Sequence, residues 1–392
     1  HDNLGRITGL VDQNGRAYGY VFDENGNLSS EIDPLGRPTV YRYDLMDRLA
    51  SITNRAGGTT SFTYDALGQT ASVTDPFGNT KTIQNDDGAR ETAITDEAGY
   101  VWRRRYDAEG LLSSIITPSG RTTAFSRNKL GQIECVTNPM GARTCYTHDQ
   151  MGLIDSVTNP LGQATFFTHN GNDFLNSLVA PDNKTVSYER TALGMVKNLT
   201  DPNGSVWRFT QTAMGLEATH TDALGNSYVY QSDDLGLRSV AYPNGDVLTN
   251  TYDAAGILLQ AEWSDGSVMR MTYDPAYQIT ALNDLTFTHN DDGMVASTSR
   301  DGFDFTAVYD VDGRIVTAGY AGLFDVVYQY DVRGNIASVS DSLTNAKVEF
   351  EYDQDGRMIK IKRSNGLNTD LSLDDASRLT GIVDGADRKS VV

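Results

Sequence analysis

Residues 64–83 read YDALGQTASVTDPFGNTKTI, and near-copies of this stretch run along the whole chain. It carries two turn signals. The first is Asp65-Ala66-Leu67-Gly68. Asp suits the opening of a type I turn because its carboxylate bonds the backbone two residues on, and Gly accepts the left-handed conformation that follows. The second is Asp75-Pro76-Phe77-Gly78, where Pro pre-sets the backbone and Gly again closes the turn. Asp33-Pro34-Leu35-Gly36 and Asp201-Pro202-Asn203-Gly204 repeat that second signal, and Asn138 and Asn159 stand in for Asp. Between turns lie short runs rich in Val, Ile, Thr, Tyr and Phe, of strand length and strand composition. The stretch therefore reads as one antiparallel hairpin leading into the next.

Laying the Tyr64 position along the chain gives slots at 1, 22, 43, 64, 85, 106, 127, 148, 169, 190, 211 and 232, at a constant period of 21 residues. The slots then continue less regularly at 252, 273, 289, 309, 330, 352 and 373. Of these nineteen, eight hold Tyr and five hold His or Phe; the next residue is Asp in fourteen, and Gly follows at the fifth position in fourteen. The expected fold is all-β, a tandem array of hairpins over residues 1–383. The shortest step, from Tyr273 to His289, calls for a tight hairpin at Asn283-Asp284. Two strands per slot give about 38 strands, on the order of 180 Å of sheet at the usual strand spacing. Open sheets rarely exceed about ten strands without curling. The array is therefore expected to curl or spiral into a hollow wall, on the order of 60 Å across if wound once.

Side-chain period two sets the faces. An aromatic recurs two residues before the slot, at Tyr20, Tyr41, Phe62, Phe125, Tyr146, Phe167, Tyr188, Phe209 and Tyr230, on the same face as slot residues such as Tyr64. Trp102 and Trp207 fall on that face too. The reading expects these rings to stack into ladders that hold hairpins together, and keeps a carbohydrate-binding platform as the alternative use of the stripe.

The balance of 52 acidic against 32 basic residues, net −20, opposes binding to nucleic acid or anionic lipid. No apolar run is long enough for a membrane-spanning helix. Cys135 and Cys145 flank a turn on facing strands; spacing alone leaves a bridge between them open. The chain starts at His1 without an initiator Met. Asp387-Arg388-Lys389-Ser390-Val391-Val392 break the pattern and match the translation of a common sequencing adapter. Residues 384–392 are accordingly expected to be an artefactual tail on a fragment.

The copies YRYDLMDRLASIT, RYDAEGLLSSI, YDVDGRIV, YQYDVRGNIASVS and FEYDQDGRMIKI, with YDALGQTASVTDPFGN, resemble the Rhs/YD repeats of bacterial polymorphic toxins, Tc toxin C components and teneurins. The resemblance runs from His1 to about Val383. It implies a β-ribbon forming part of a hollow shell that encloses a C-terminal effector of the same polypeptide, in a bacterial protein that is secreted or on the cell surface. No core-associated segment, variable toxin domain or N-terminal delivery domain is read here. The family's self-cleavage aspartates are therefore carried onto no residue.

Catalytic and metal motifs give less. His1, His148, His169 and His289 occupy the slot, where they read as Tyr replacements rather than ligands. The Asp-rich turns at 310–313 and 353–356 lack the full calcium-loop pattern. No Gly-x-Ser-x-Gly elbow, HExxH or phosphate loop occurs. The expectation is a structural encapsulation module without enzymatic activity or cofactor. A cell-surface adhesion module binding glycans through the aromatic stripe is the alternative.

Overall fold

The computed structural model describes residues 1–385 and 388–390. The described chain is all strand and turn, from β1 (Gly9–Val11) to β38 (Arg388–Ser390). Contacts divide it into two units, residues 1–122 with 272–392, and residues 123–271. Within the first, β1 to β11 (Leu112–Ile116) pair consecutively and antiparallel, and so do β27 (Ile279–Leu282) to β38. In the second, β12 (Thr122–Arg127) to β26 (Val268–Tyr273) form the same kind of meander. Residues 386, 387, 391 and 392 of the expected artefactual tail lie outside the described residues. The backbone of 388–390 pairs with β37 (Leu379–Asp384).

Both turn types have one geometry. At Asp65 the Gly68 amide donates to the Asp65 carbonyl, and the carboxylate accepts from the amides of Leu67 and Gln69, each at 2.9 Å. At Asp75 the same carboxylate bonds form to Phe77 and Asn79, at 2.9 and 2.8 Å. Gly68 and Gly78 have φ of 81° and 86°. The first turn adds a bulge, seen between Thr63 and Tyr64, which the second turn lacks. The five slots without glycine keep the left-handed backbone nonetheless: Asp47, Ala89, Asp173, Tyr277 and Ser377 have φ between 58° and 65°. Backbone geometry here is set by the hairpin, and glycine only relieves its strain. Asn283, at φ 52°, makes the tight hairpin between β27 and β28 (Leu285–His289).

Among the described residues the strands belong to one sheet, with no second layer to bury against. Accessible surface is 22,991 Å², against roughly 15,000 Å² for a compact protein of this size. Buried apolar side chains are few and mostly small, such as Ala93, Ala261, Ala307 and Ala318. One face carries the aromatic stripe. The other carries paired hydroxyls, such as Thr53 with Thr59 at 2.8 Å and Thr63 with Ser72 at 2.6 Å.

The rings of the stripe do not stack on one another as expected. Seven of the nine face an aliphatic residue on the next strand: Tyr41 opposes Ile52, Phe62 opposes Val73, and Phe125, Tyr146, Phe167, Tyr188 and Tyr230 oppose Val136, Val157, Leu178, Leu199 and Val240. The cause is the repeat itself. Rings recur on every second strand, roughly 9.6 Å apart, beyond ring-contact range. The other two are Tyr20, which opposes Glu31, and Phe209, which stacks on His220 with centroids 4.9 Å apart.

Cys135 and Cys145 sit opposite each other in register and are bridged, with Cα atoms 4.1 Å apart. Closing so short a loop contributes roughly 2–3 kcal/mol at most.

Ala89 tests the turn argument, since its side chain is exposed and only its backbone is strained. Ala89→Gly should stabilise the chain by about 0.5–1 kcal/mol, read as a higher denaturant midpoint.

Candidate functional site

The slot side chain ties each repeat to the one before. Tyr64 donates its hydroxyl to the Leu49 carbonyl at 2.7 Å, just where the ladder between β5 (Leu49–Thr53) and β6 (Thr59–Tyr64) has run out. Tyr43, Tyr106, Tyr252 and Tyr330 make the same bond to Leu28, Glu91, Leu237 and Ile315 at 2.7–2.9 Å. In three slots without Tyr another donor reaches the equivalent carbonyl: Asn85 to Thr70, Arg190 to Leu175 and Gln211 to Val196. At these positions Asn, Arg and Gln replace the phenol as donor, whereas Phe22 and Leu373 have no donor to offer. Sequence reading missed this, although Asn, Gln and Arg in Tyr positions were its signal.

In several repeats an arginine after the first turn completes the clamp. Arg48 bonds Asp44 at 2.8 Å and lies 4.4 Å over the Tyr64 ring; Arg90 does the same with Asp86 and Tyr106. The hydrogen bond from Arg48 holds the Asp44 carboxyl below its ordinary range, and Arg90 does so for Asp86.

The first unit also contains a seam. Second turns of residues 1–122 meet first turns of residues 272–392, with bonded partners 234–265 residues apart. Tips seat in notches. The Asn54 turn bonds both Asp292, through the Ala56 amide at 3.0 Å, and the Val311 carbonyl at 2.9 Å. The next residues make the same kind of contact: Arg37 bonds the Asn290 carbonyl, Arg314 stacks on Phe77 and Arg333 pairs with Asp96. A Cβ on Gly58 would lie 2.7 Å from the Val311 carbonyl, so only glycine fits that approach. Tyr277, at a left-handed turn position, bonds Asp12 at 2.5 Å and lies under Arg16.

The tightest point is Asp355, whose side chain is fully screened from solvent. It accepts from the Ser119 amide at 2.9 Å and from Arg121 at 2.6 Å, and bonds the Thr117 and Ser119 hydroxyls. Arg121 continues to the Asp375 carbonyl and the Ser377 hydroxyl. Burial pushes the Asp355 carboxyl up, but the bonds from Ser119 and Arg121 prevail and hold it below the ordinary range. At Asp312 burial wins, and the carboxyl is pushed up with help from Asp75 and Asp310.

The turn residues Asp33, Pro34, Gly36, Asp75, Pro76 and Gly78 lie along the seam edge, and Asp201, Pro202 and Gly204 form an equivalent turn in the second unit. The stripe aromatics are half-buried in the sheet and do not converge on a pocket. A groove of about 370 Å³ beside the seam holds Trp102 with Lys81, Arg104 and Arg333. Its cations are matched by Glu97, Glu91 and Asp96, which leaves no net site for an anion. Among the described residues no cluster of His, Cys, Asp and Glu is arranged to hold a metal ion.

The RHS repeat family matches residues 1–38, 22–59, 43–80 and 85–122, and the teneurin YD-shell family matches residues 217–336. The chain belongs to the Rhs/YD-repeat family. No curated protein sequence matches it. Solved structures share the YD fold at low identity. A TcdB2–TccC3–TEV crystal structure is 13% identical with a TM-score of 0.78 over 93% of this chain. A Tc holotoxin pore from Photorhabdus luminescens is 13% identical with a TM-score of 0.74 over 96%. This YD-repeat chain spans about a quarter of the length of those structures, 24% and 26%.

Two results test the clamp and the seam. Tyr64→Phe leaves the Leu49 carbonyl without its donor and should cost about 1–2 kcal/mol in denaturation. The lowered carboxyls of Asp44, Asp86 and Asp355 contribute stability that is present above about pH 4 and lost as pH falls through their folded values. A denaturation midpoint that drops steeply below about pH 4 is expected, with a smaller drop in Asp355→Asn.

Proposed function

We propose that this YD-repeat chain is a segment of shell wall in a toxin-delivery protein, and that the shell encloses a C-terminal effector of the same polypeptide. The seam carries the reading. Two stretches of ribbon far apart in sequence are locked turn into notch along six successive hairpins, from Asp12 with Tyr277 to Arg121 with Ser377. A ribbon that locks to itself edge-on makes a continuous barrier without needing a core. No reaction is assigned to any residue; the mechanism is steric.

Two further observations support the reading. The slot tyrosines spend their hydroxyls on backbone carbonyls and the stripe rings are half-buried, which weighs against a glycan platform. The Cys135–Cys145 bridge suits an oxidising, extracellular compartment.

Protease protection tests the proposal in the polypeptide that carries both the array and the effector. The effector should resist cleavage in the native protein and become cleavable when the seam is opened by Asp355→Arg. An effector cut equally fast in both would sink enclosure. Glycan-array binding that disappears in Tyr41→Ala, Tyr146→Ala and Tyr188→Ala would favour adhesion instead.

A further inference from the structure

Six Asn-Gly pairs occur in the chain, beginning at Asn14, Asn25, Asn170, Asn203, Asn244 and Asn365. Such a pair can react with itself. The glycine nitrogen attacks the amide carbon of the preceding side chain, and glycine carries no side chain to block the approach. A new C–N bond closes a five-membered succinimide. The side-chain nitrogen leaves as ammonia and takes the glycine N–H proton with it. Water then opens the ring at either carbonyl. One opening gives aspartate, and the other gives isoaspartate, in which the main chain runs through the side-chain carbon.

The fold treats the six pairs differently. In five of them the glycine closes its turn, and its N–H donates to a carbonyl three residues back: Gly15 to Asp12, Gly26 to Asp23, Gly204 to Asp201, Gly245 to Tyr242 and Gly366 to Arg363, at 2.9–3.1 Å. The reaction needs that proton removed, and the turn bond holds it in place. Asn170 instead opens its turn. Gly171 follows it as the second turn residue, is exposed to solvent, and has no hydrogen-bond partner for its N–H among the described residues.

The Asn170 side chain is also set for attack. Its Oδ1 accepts from the amides of Asn172 and Phe174 at 3.0 and 3.2 Å. These bonds hold the side chain against its own turn and place two donors on the oxygen where negative charge develops. Other asparagines that open turns lack the glycine. Asn138 and Asn159 precede prolines, which have no N–H to lose, and Asn54 and Asn128 precede the bulky Arg55 and Lys129.

We propose that Asn170 is the modification site of this chain, deamidating spontaneously through a succinimide with Gly171. Each event adds one negative charge to the second unit. The aspartate product is the residue that fourteen of the nineteen repeats carry at this position, and it keeps an acceptor for the two turn amides. The isoaspartate product adds a main-chain carbon to the loop that sets the register between β16 (Ala164–His169) and β17 (Leu175–Val179), and so loosens that hairpin. The site does not depend on the enclosure reading.

Peptide mapping by mass spectrometry, after incubating the full chain in mildly alkaline buffer, tests this. In the native chain, conversion of amide to acid at Asn170, split between aspartate and isoaspartate, should run at least tenfold faster than at Asn14, Asn25, Asn203, Asn244 or Asn365. In the urea-unfolded chain the six should react at similar rates, because the turn bonds are gone. Gly171→Ala should slow Asn170 at least tenfold, and a Cβ at that position meets nothing within 4 Å, so the variant folds. Asn170→Asp should keep the wild-type denaturation midpoint. The proposal is overturned if native Asn170 reacts no faster than the other five, or if the same ordering persists in the unfolded chain.

Discussion

Each first turn of this repeat leaves a bulge, and each bulge leaves a carbonyl that the next strand's ladder does not reach. An unpaired backbone acceptor is costly wherever water is excluded, and in repeats such as that of Tyr64 the slot side chain removes the cost by donating to it. In a sheet without a second layer this bond matters more than it would in a sandwich. Few side chains are buried enough to hold adjacent hairpins by packing. The hydroxyl of Tyr64 and the guanidinium of Arg48 above its ring do locally what a core does in a globular domain. Repetition suits this bond, because successive hairpins present the same kind of carbonyl and Tyr, Asn, Gln or Arg at the slot can meet it.

The two edges of the ribbon have separate jobs. Their turns share one hydrogen-bond plan, yet first turns offer acids such as Asp292 and Asp355, and second turns offer the amides of Ala56 and Ser119 to meet them. The wide left-handed turn at Tyr277 shows how far this goes. A bulky residue is held in a strained backbone position, and its reach to Asp12 and Arg16 across the seam offsets the strain. Such a wall owes its integrity to edge contacts, and the shell reading rests on them.

The turns, the strand count and the alternation of faces were legible in the sequence because they are local. Asp and Gly at fixed offsets dictate hairpins whatever surrounds them, down to the tight turn at Asn283. The ring ladder was misjudged because spacing along the chain says which residues share a face but not how far apart alternate strands lie. The donor role of the slot was present in Asn85, Arg190 and Gln211, yet it emerges only once their common target carbonyl is seen. The seam had no signature at all. Which turn meets which depends on the twist accumulated over more than two hundred residues, and the period does not encode that twist. The register of the Cys135–Cys145 pair likewise had to be seen before the bridge was certain.

Hydrogen exchange at the amide of Ser119 tests the seam most directly. That amide sits at a turn tip, and its partner is the Asp355 carboxylate from the distant stretch of ribbon. The account predicts slow exchange at Ser119 in the wild type and fast exchange in Asp355→Ala, with the Leu67 amide, which is bonded only within its own turn, unchanged. Exchange at Ser119 that is as fast as at Leu67 in the wild type, or unaffected by the substitution, would contradict it.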